Sequence, residues 1–170
     1  MAIASSTSAD SVLADSAANK PTVLVTGGAG YIGSHAVLAL ETAGYQTVIL
    51  DNLEYGHKEL AEQHLKAKII VGDTTDRPLL DEIFSTYNIA AVMHFAAYIA
   101  VGESVSHPAK YYRNNVYGTL NLLEAMVAAD VKRLVFSSTC AIYGPPKTVP
   151  IPEDHPQNPI SPYATSKLMV

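Results

Sequence analysis

The chain has 170 residues, of which 48% are hydrophobic and 16% are charged, and this predicts one globular core. Its formal net charge of -5 excludes the basic surface that nucleic-acid binding needs, and no apolar run reaches the roughly 18 residues of a membrane span. The single cysteine, Cys140, excludes an internal disulfide framework and a multi-cysteine metal site.

The first 20 residues are rich in alanine and serine. They lack the basic and apolar segments of a secretory signal peptide and the arginines of an organellar transit peptide. We therefore predict that residues 1–20 form a disordered leader and that the protein is cytoplasmic.

From residue 21 onward, strand patterns alternate with helix patterns. Short apolar runs predict five buried strands, at residues 22–26, 46–50, 68–71, 90–96 and 133–138. Helical patterns lie at about residues 31–43, 58–66, 78–87 and 108–130, and a last one begins at Pro162. This alternation predicts an α/β fold, a doubly wound parallel sheet (Rossmann fold) with strand order 3-2-1-4-5. The last helix is still apolar at Met169 and Val170, so we expect the domain at residues 21–170 to be incomplete.

A glycine-rich sequence joins the first predicted strand to the first predicted helix. Gly27, Gly30 and Gly33 fit T-G-x-x-G-x-x-G, and glycine there permits a tight turn that brings the backbone close to a pyrophosphate at the helix N-terminus. Asp51 ends the second predicted strand, 18 residues after Gly33. A carboxylate at this place accepts hydrogen bonds from the adenosine ribose and repels the 2′-phosphate of NADP. The sequence therefore predicts NAD as the cofactor.

Tyr163 and Lys167 are four residues apart at the start of the last predicted helix, so both lie on one face of it. A nearby ammonium favours the phenolate form of a tyrosine, which makes Tyr163 a candidate base that takes a hydroxyl proton while hydride leaves the same carbon. Thr139 follows the fifth predicted strand, whose carboxyl end faces the ligand crevice, and its hydroxyl can bond the reacting oxygen. We predict these three as catalytic residues and no metal, because the histidines lack metal-ligand spacing.

In combination these stretches resemble the extended short-chain dehydrogenase/reductase family, and within it the nucleotide-sugar 4-epimerases, from Thr22 to Val170. The resemblance is carried by VLVTGGAGYIGSH, the Asp51-Asn52-Leu53 loop, Gly72-Asp73, HFAA, VGESV, YYRNNVYGTLNLLEAM, FSSTCAIYG and SPYATSKLMV. It implies NAD-dependent epimerisation of a UDP-hexose at C4, between UDP-glucose and UDP-galactose in galactose metabolism, through a 4-keto intermediate. It also implies a smaller C-terminal substrate domain that this chain lacks, and a homodimer formed through the helices that begin at Pro108 and Pro162.

The same resemblance implies cofactor contacts along the whole domain. Tyr163 and Lys167 are both expected to contact the cofactor, and Lys167 is expected to hold the nicotinamide ribose and to tune Tyr163. The other implied contacts are Tyr31, Ile32, Asp51, Asn52, Asp73 and Thr74 at the pyrophosphate and adenosine, Phe95, Ala96 and Ala97 beneath the cofactor, and Asn114 in the long helix. One position departs from the pattern: Ile99 stands where related epimerases often have a lysine at the pyrophosphate, which leaves this anion to backbone amides and the helix dipole.

Other functions stay open at this point. The chain fits a 4-epimerase of UDP-xylose/arabinose or of UDP-glucuronate, and it also fits a non-catalytic NAD-binding fragment. A 4,6-dehydratase on the same scaffold is disfavoured, because Cys140 and Ala141 occupy the places of its usual Asp-Glu pair. We expect Cys140 to be a small buried thiol and His94 to be a packed core histidine.

Overall fold

The computed structural model describes residues 21–170, and the predicted leader at residues 1–20 lies outside the described residues. The strands are β1 (Thr22–Thr26), β2 (Gln46–Asp51), β3 (Lys68–Val71), β4 (Ile89–His94) and β5 (Leu134–Phe136). The α-helices are α1 (Tyr31–Thr42), α2 (Lys58–His64), α3 (Arg77–Thr86), α4 (Val101–Ser106), α5 (Pro108–Tyr111), α6 (Gly118–Ala128) and α7 (Pro162–Met169). A π-helical turn, Tyr112–Tyr117, joins α5 to α6, and a 3₁₀ turn, Cys140–Tyr143, follows β5.

The five strands form one parallel sheet in the order β3-β2-β1-β4-β5. This confirms the predicted doubly wound sheet. The chain leaves β1 toward β2 on one side and later returns to place β4 on the other, so the strand order reverses between β1 and β4. In such sheets the crevice outside the carboxyl ends of the strands at this reversal is the usual ligand site.

The core lies on both faces of the sheet, because successive strand residues point to opposite sides. On one face, Leu24 of β1 packs in a cluster with Leu80 of α3 and Leu122 of α6. On the other face, Val23 and Val25 pack in a second cluster with Val37 of α1. Burial on two faces explains why the strands read as continuous apolar runs.

The single long helix that the sequence predicts at residues 108–130 is interrupted in the structure, and a further short helix precedes it. The short helix α4 was not predicted, since six residues are too few to display a helical period. Pro108 begins α5 at its first position, after His107 has left the helical region with φ of -131° and ψ of 58°. The π-helical turn then interrupts the helix before Gly118, and such turns are frequent at functional sites.

No helix within residues 21–170 has the length and apolarity required to cross a membrane. No group of three or more histidine, cysteine, aspartate or glutamate side chains in this part of the chain is arranged to hold a metal ion.

Candidate active site

A cleft of about 1190 Å³ opens at the carboxyl ends of all five strands of the sheet. Every residue that the sequence assigns to catalysis or to the cofactor lines this cleft: Gly27, Gly30, Tyr31, Ile32, Gly33, Asp51, Asn52, Asp73, Thr74, Phe95, Ala96, Ala97, Asn114, Thr139, Tyr163 and Lys167. These positions extend from Gly27 to Lys167 in the sequence, and the strand order brings them to one edge of the sheet.

The glycine loop has the tight geometry that its sequence predicts. Gly27 has a φ of +73°, a conformation that L side chains rarely adopt, and its N–H donates to the carbonyl of Leu50 over 2.8 Å. A Cβ at Gly33 would lie 2.1 Å from the carbonyl oxygen of Gly27, so only glycine lets the first turn of α1 pack this closely on the loop. Gly30 is the N-cap of α1 and makes no side-chain capping bond. The N-terminus of α1 therefore presents backbone N–H groups and the positive end of the helix dipole to the cleft.

Asp51 lies at the end of β2 and is nearly buried. Its Oδ2 accepts from the N–H of Ala29 over 3.0 Å, and its Oδ1 accepts from the N–H of Leu53 over 2.9 Å. The carboxylate thus ties the glycine loop to the loop after β2. Because each carboxylate oxygen has a second lone pair, Asp51 can also accept from a ligand hydroxyl.

Asn52 and Asp73 extend this polar edge toward β3. The amide of Asn52 donates to Oδ2 of Asp73 over 3.0 Å, and Oδ1 of Asp73 accepts both the N–H and the hydroxyl of Thr75 over 2.8 Å. Burial acts to raise the pKa of Asp73, but the hydrogen bonds from Thr75 and Asn52 outweigh it and leave this pKa below its usual range. The adjacent Thr74 contacts the position of Gly118, where a Cβ would lie 2.5 Å from the threonine Oγ1. This contact explains the glycine that follows the π-helical turn.

Tyr163 and Lys167 lie on the first two turns of α7, whose N-terminus is capped by Ser161. Only 9% of Tyr163 and 5% of Lys167 is exposed, and both line the cleft. The Nζ of Lys167 donates to the carbonyl of Ser137 over 2.7 Å, which fixes the ammonium group at the end of β5. Thr139 lines the same part of the cleft, and its Oγ1 accepts from the N–H of Ala141 over 3.2 Å. The hydroxyl proton of Thr139 therefore stays available to a ligand.

Burial lowers the pKa of Lys167 from 10.5 to about 8. Between these values the unfolded chain binds a proton at this lysine that the folded chain does not, so the free energy of unfolding rises with pH. We expect this group to add about 3 kcal/mol between pH 8 and pH 10.5, by the linkage between pKa and stability. Denaturant titrations of the unmodified chain and of Lys167→Met across this range measure the effect. The unmodified chain should show this rise and Lys167→Met should lack it. An equal rise in both proteins would show that another group is responsible.

Two buried residues beside the cleft, Asn115 and Ser166, were missed by the sequence analysis. Asn115, in the π-helical turn, accepts from the N–H of Tyr98 over 2.9 Å and donates to its carbonyl over 3.0 Å. Its Nδ2 also donates to the hydroxyl of Ser166 over 3.0 Å. Asn115 therefore joins the loop after β4 to the helix that carries Tyr163. The predicted residue Asn114 lines the cleft and donates to Oδ1 of Asn115 over 2.9 Å.

His94 is a packed core histidine, as predicted, and it supports the floor of the site. Its Nδ1 lies 2.6 Å from the hydroxyl of Thr26, and its Nε2 lies 2.8 Å from the hydroxyl of Thr119. Because Thr119 gives its proton to the carbonyl of Asn115, His94 donates from Nε2 and accepts at Nδ1. Burial, aided by the charge of Lys167, lowers the pKa of His94 to about 3, so the ring is neutral.

Two further positions concern the charge and reactivity of the cleft. Ile99 lines it with 65% of its surface exposed, and among residues 21–170 Lys167 is the one lysine or arginine in the lining. The prediction that Cys140 is buried was wrong. The thiol is exposed because the chain turns into a 3₁₀ segment directly after Thr139, and this turn buries Ile142 instead.

Solved structures with the same fold include two sugar-nucleotide enzymes. The UDP-glucose 4-epimerase from Brucella ovis, in complex with NAD, has a TM-score of 0.83 and 47% identity, over 88% of this chain and 45% of that one. The UDP-glucose 4-epimerase from Bifidobacterium longum, in complex with NAD+ and UDP, has a TM-score of 0.82 and 42% identity, over 86% of this chain and 46% of that one.

The sequence comparisons agree with the structural ones. A UDP-glucose 4-epimerase from Rhizobium meliloti is 52% identical over 145 residues, which are 85% of this chain and 43% of that protein. This chain thus spans less than half the length of these relatives. The model of the NAD dependent epimerase/dehydratase family matches residues 23–170. The chain therefore belongs to the NAD dependent epimerase/dehydratase family.

Proposed function

We propose that this chain binds NAD in the cleft and carries the catalytic groups of an enzyme that interconverts UDP-glucose and UDP-galactose by epimerisation at C4. The observation that carries the proposal is the meeting of three features in one cleft: the glycine loop, Asp51, and the group of Tyr163, Lys167 and Thr139. The relatives named above as UDP-glucose 4-epimerases, two of them in complex with NAD, support it.

The proposed cofactor fits the residues that are present. The glycine loop leaves no Cβ where a pyrophosphate would approach, and the N-terminus of α1 supplies the N–H groups and dipole for its charge. Asp51, Asn52, Asp73 and Thr74 would hold the adenosine, while Phe95, Ala96 and Ala97 lie at the end of β4 beneath it. With Ile99 at the usual lysine position, the anion depends on the loop backbone and α1.

The reaction needs one proton acceptor and one hydride acceptor at the same sugar carbon. Bound NAD would supply the hydride acceptor, taking hydride from C4 and returning it to the opposite face of the ring. Tyr163 would take the proton of the 4-hydroxyl as the carbonyl forms and give it back on the return step. The ammonium group of Lys167 would place a positive charge near the phenol of Tyr163. The hydroxyl of Thr139 would donate a hydrogen bond to the 4-oxygen of the sugar. Oxidation and reduction cancel, so no external oxidant is required.

Dehydration, the other chemistry in the family's description, is disfavoured by the residues after Thr139. Elimination of water needs an additional acid and base close to the sugar. The next two side chains are Cys140, which is exposed, and Ala141, which carries no ionisable group. We therefore assign the chain to the epimerases of this family.

We propose that the protein is located in the cytoplasm. The proposed partner is a second copy of the chain. Apolar side chains on α6 and the turn before it are exposed, notably Tyr117, Leu120 and Val127. Exposed apolar surface of this kind is typical of a protein interface, and we propose a homodimer through these helices and α7. Sedimentation of the protein should give twice the mass of one chain.

A chimera tests the proposed activity. Because the chain spans 43% of the Rhizobium meliloti relative, we would replace the matching part of that relative with this chain and assay conversion of UDP-galactose into UDP-glucose. We expect turnover without added oxidant or reductant. Arms with UDP-xylose and UDP-glucuronate test the alternative sugars. A chimera that is folded and holds NAD but converts none of these substrates would leave the chain as a non-catalytic NAD-binding module.

A further inference from the structure

Two loops form neighbouring walls of the cleft. One follows β2 and includes Asn52, Tyr55 and Gly56, and the other follows β4 and includes Phe95 to Ala100. A bridge between Glu54 of the first loop and Tyr98 of the second joins them. The function proposed above does not use either of these side chains.

The bridge is made by the phenol and by a lysine beside it. The hydroxyl of Tyr98 donates to Oε2 of Glu54, and the Nζ of Lys110 donates to Oε1 of the same carboxylate over 3.0 Å. This Nζ also lies 4.2 Å from the centroid of the Tyr98 ring and 2.9 Å from Oε1 of Glu103. One oxygen of Glu54 is therefore bonded to the opposite wall, and the other is bonded to Lys110 of α5 beside that wall.

The Tyr98 side of the bridge is firmly anchored. The backbone N–H and carbonyl of Tyr98 both bond the side chain of Asn115, as described above. The ring of Tyr98 packs 5.9 Å from that of Tyr111, whose ring in turn lies 6.5 Å from that of Tyr163. The hydroxyl of Tyr111 has one proton to donate and lies 2.7 Å from each of two acceptors, Oε2 of Glu103 and the carbonyl oxygen of Ala100. Glu54, by contrast, belongs to a surface loop and its side chain is 40% exposed.

We propose that the Glu54–Tyr98 bridge holds these two walls together around the adenosine end of a bound dinucleotide and slows its release, an inference that rests on the NAD binding proposed above. Asp51 and Asn52, the proposed adenosine contacts, lie three and two residues before Glu54 in the chain, so an anchor on Glu54 restrains them as well. Asp51 holds the start of this loop against the glycine loop, and the bridge holds its far side. Without the bridge, the loop after β2 would be held only at its start, by the contact of Asp51 with the glycine loop.

The protonation states favour the bridge at neutral pH. Burial and the hydrogen bond to Glu54 raise the pKa of Tyr98 to about 12, so the phenol keeps its proton. The hydrogen bond from Tyr98 and the charge of Lys110 lower the pKa of Glu54, so the carboxylate stays ionised. A neutral phenol therefore donates to a charged acceptor, which is the stronger type of hydrogen bond.

A double-mutant cycle on the unmodified chain tests the proposal. Tyr98→Phe removes the hydroxyl and keeps the ring, and Glu54→Gln removes the charge and keeps the shape. NAD association and dissociation rates are measured by stopped-flow fluorescence for each variant and for the double variant. Tyr45→Phe, a tyrosine that is 52% exposed at the opposite edge of the sheet, is the matched control.

We expect each single variant to release NAD about fivefold to tenfold faster, with the association rate changed by less than twofold and the melting temperature unchanged. The double variant should be no faster than the faster single one, because the two groups act as one bond. Single variants with unchanged release rates, or effects that multiply in the double variant, would overturn the proposal. If Tyr98→Phe lowers the melting temperature, the NAD release rate of Glu54→Gln decides the test, because the side chain of Glu54 is partly exposed and its replacement should not disturb the fold. Absence of NAD binding by the unmodified chain would overturn the proposed function together with this inference.

Discussion

Replacing Tyr163 with phenylalanine should reduce the turnover of the chimera by about 1000-fold, within the range that a positioned general acid–base group contributes. The substitution removes one oxygen and keeps the ring that packs against Tyr111. The cleft keeps its glycine loop and Asp51, so the affinity for NAD should change by less than threefold. The measurement is the rate of UDP-glucose formation at saturating UDP-galactose, together with an NAD titration of the same variant.

Tyr45→Phe is the control for this experiment, since it removes a phenol oxygen at an exposed position far from the cleft. It should retain the full rate. A Tyr163→Phe variant that keeps more than a tenth of the turnover would show that another group moves the proton. A loss of NAD binding in parallel with activity would instead place Tyr163 in the cofactor site alone.

The second large effect is expected at Gly33. An alanine Cβ there would lie 2.1 Å from the carbonyl oxygen and 2.8 Å from the carbonyl carbon of Gly27, and both are backbone atoms. Because the loop cannot give way without breaking the contact between β1 and α1, we expect Gly33→Ala to lower the free energy of unfolding by about 3 kcal/mol. NAD binding should also be lost. A shift that relieves the clash moves the glycine loop away from the N-terminus of α1, and the proposed pyrophosphate site needs both.

Gly102→Ala is the matched control, because a Cβ at Gly102, in α4, meets no atom within 4 Å. Alanine is the better helix former, so this variant should be as stable as the unmodified chain or slightly more stable. Chemical denaturation measures both variants. Equal stabilities for Gly33→Ala and Gly102→Ala would contradict the packing that the structure assigns to the loop.

The fold was largely predictable from the sequence because its determinants are local. Each strand of the sheet is a short apolar run, and Gly44 ends α1 with a φ of +87°, as its place after the helical pattern predicts. The handedness of the crossovers then fixes the strand order. The glycine loop, Asp51 and Thr139 followed from the same logic, since strand ends and a glycine loop have fixed places in a doubly wound sheet. Cofactor contacts such as Asp73, Phe95 and Asn114 followed only from the resemblance to the family.

The remaining features depend on contacts between distant segments, which no local pattern records. Asn115 reads as a poor helix former on a polar face, yet the π-helical turn buries it between Tyr98 and Ser166. The bridge from Glu54 spans 44 residues to Tyr98, and neither side chain belongs to a recognisable motif. Cys140 follows a strand and looks like core, but the 3₁₀ turn exposes it. In each case the burial and the contacts of the side chain depend on segments that are distant in the sequence, so the neighbouring residues do not predict them.

Calorimetric titration of the purified chain with NAD tests most directly whether this cleft binds the cofactor. We predict one NAD per chain, and weaker binding of NADP because the charge of Asp51 opposes a 2′-phosphate. Binding of NAD at the glycine loop should be lost in Gly33→Ala and retained in Tyr163→Phe. A folded chain that takes up no NAD, or that binds NADP more tightly than NAD, would show that this cleft is not an NAD site.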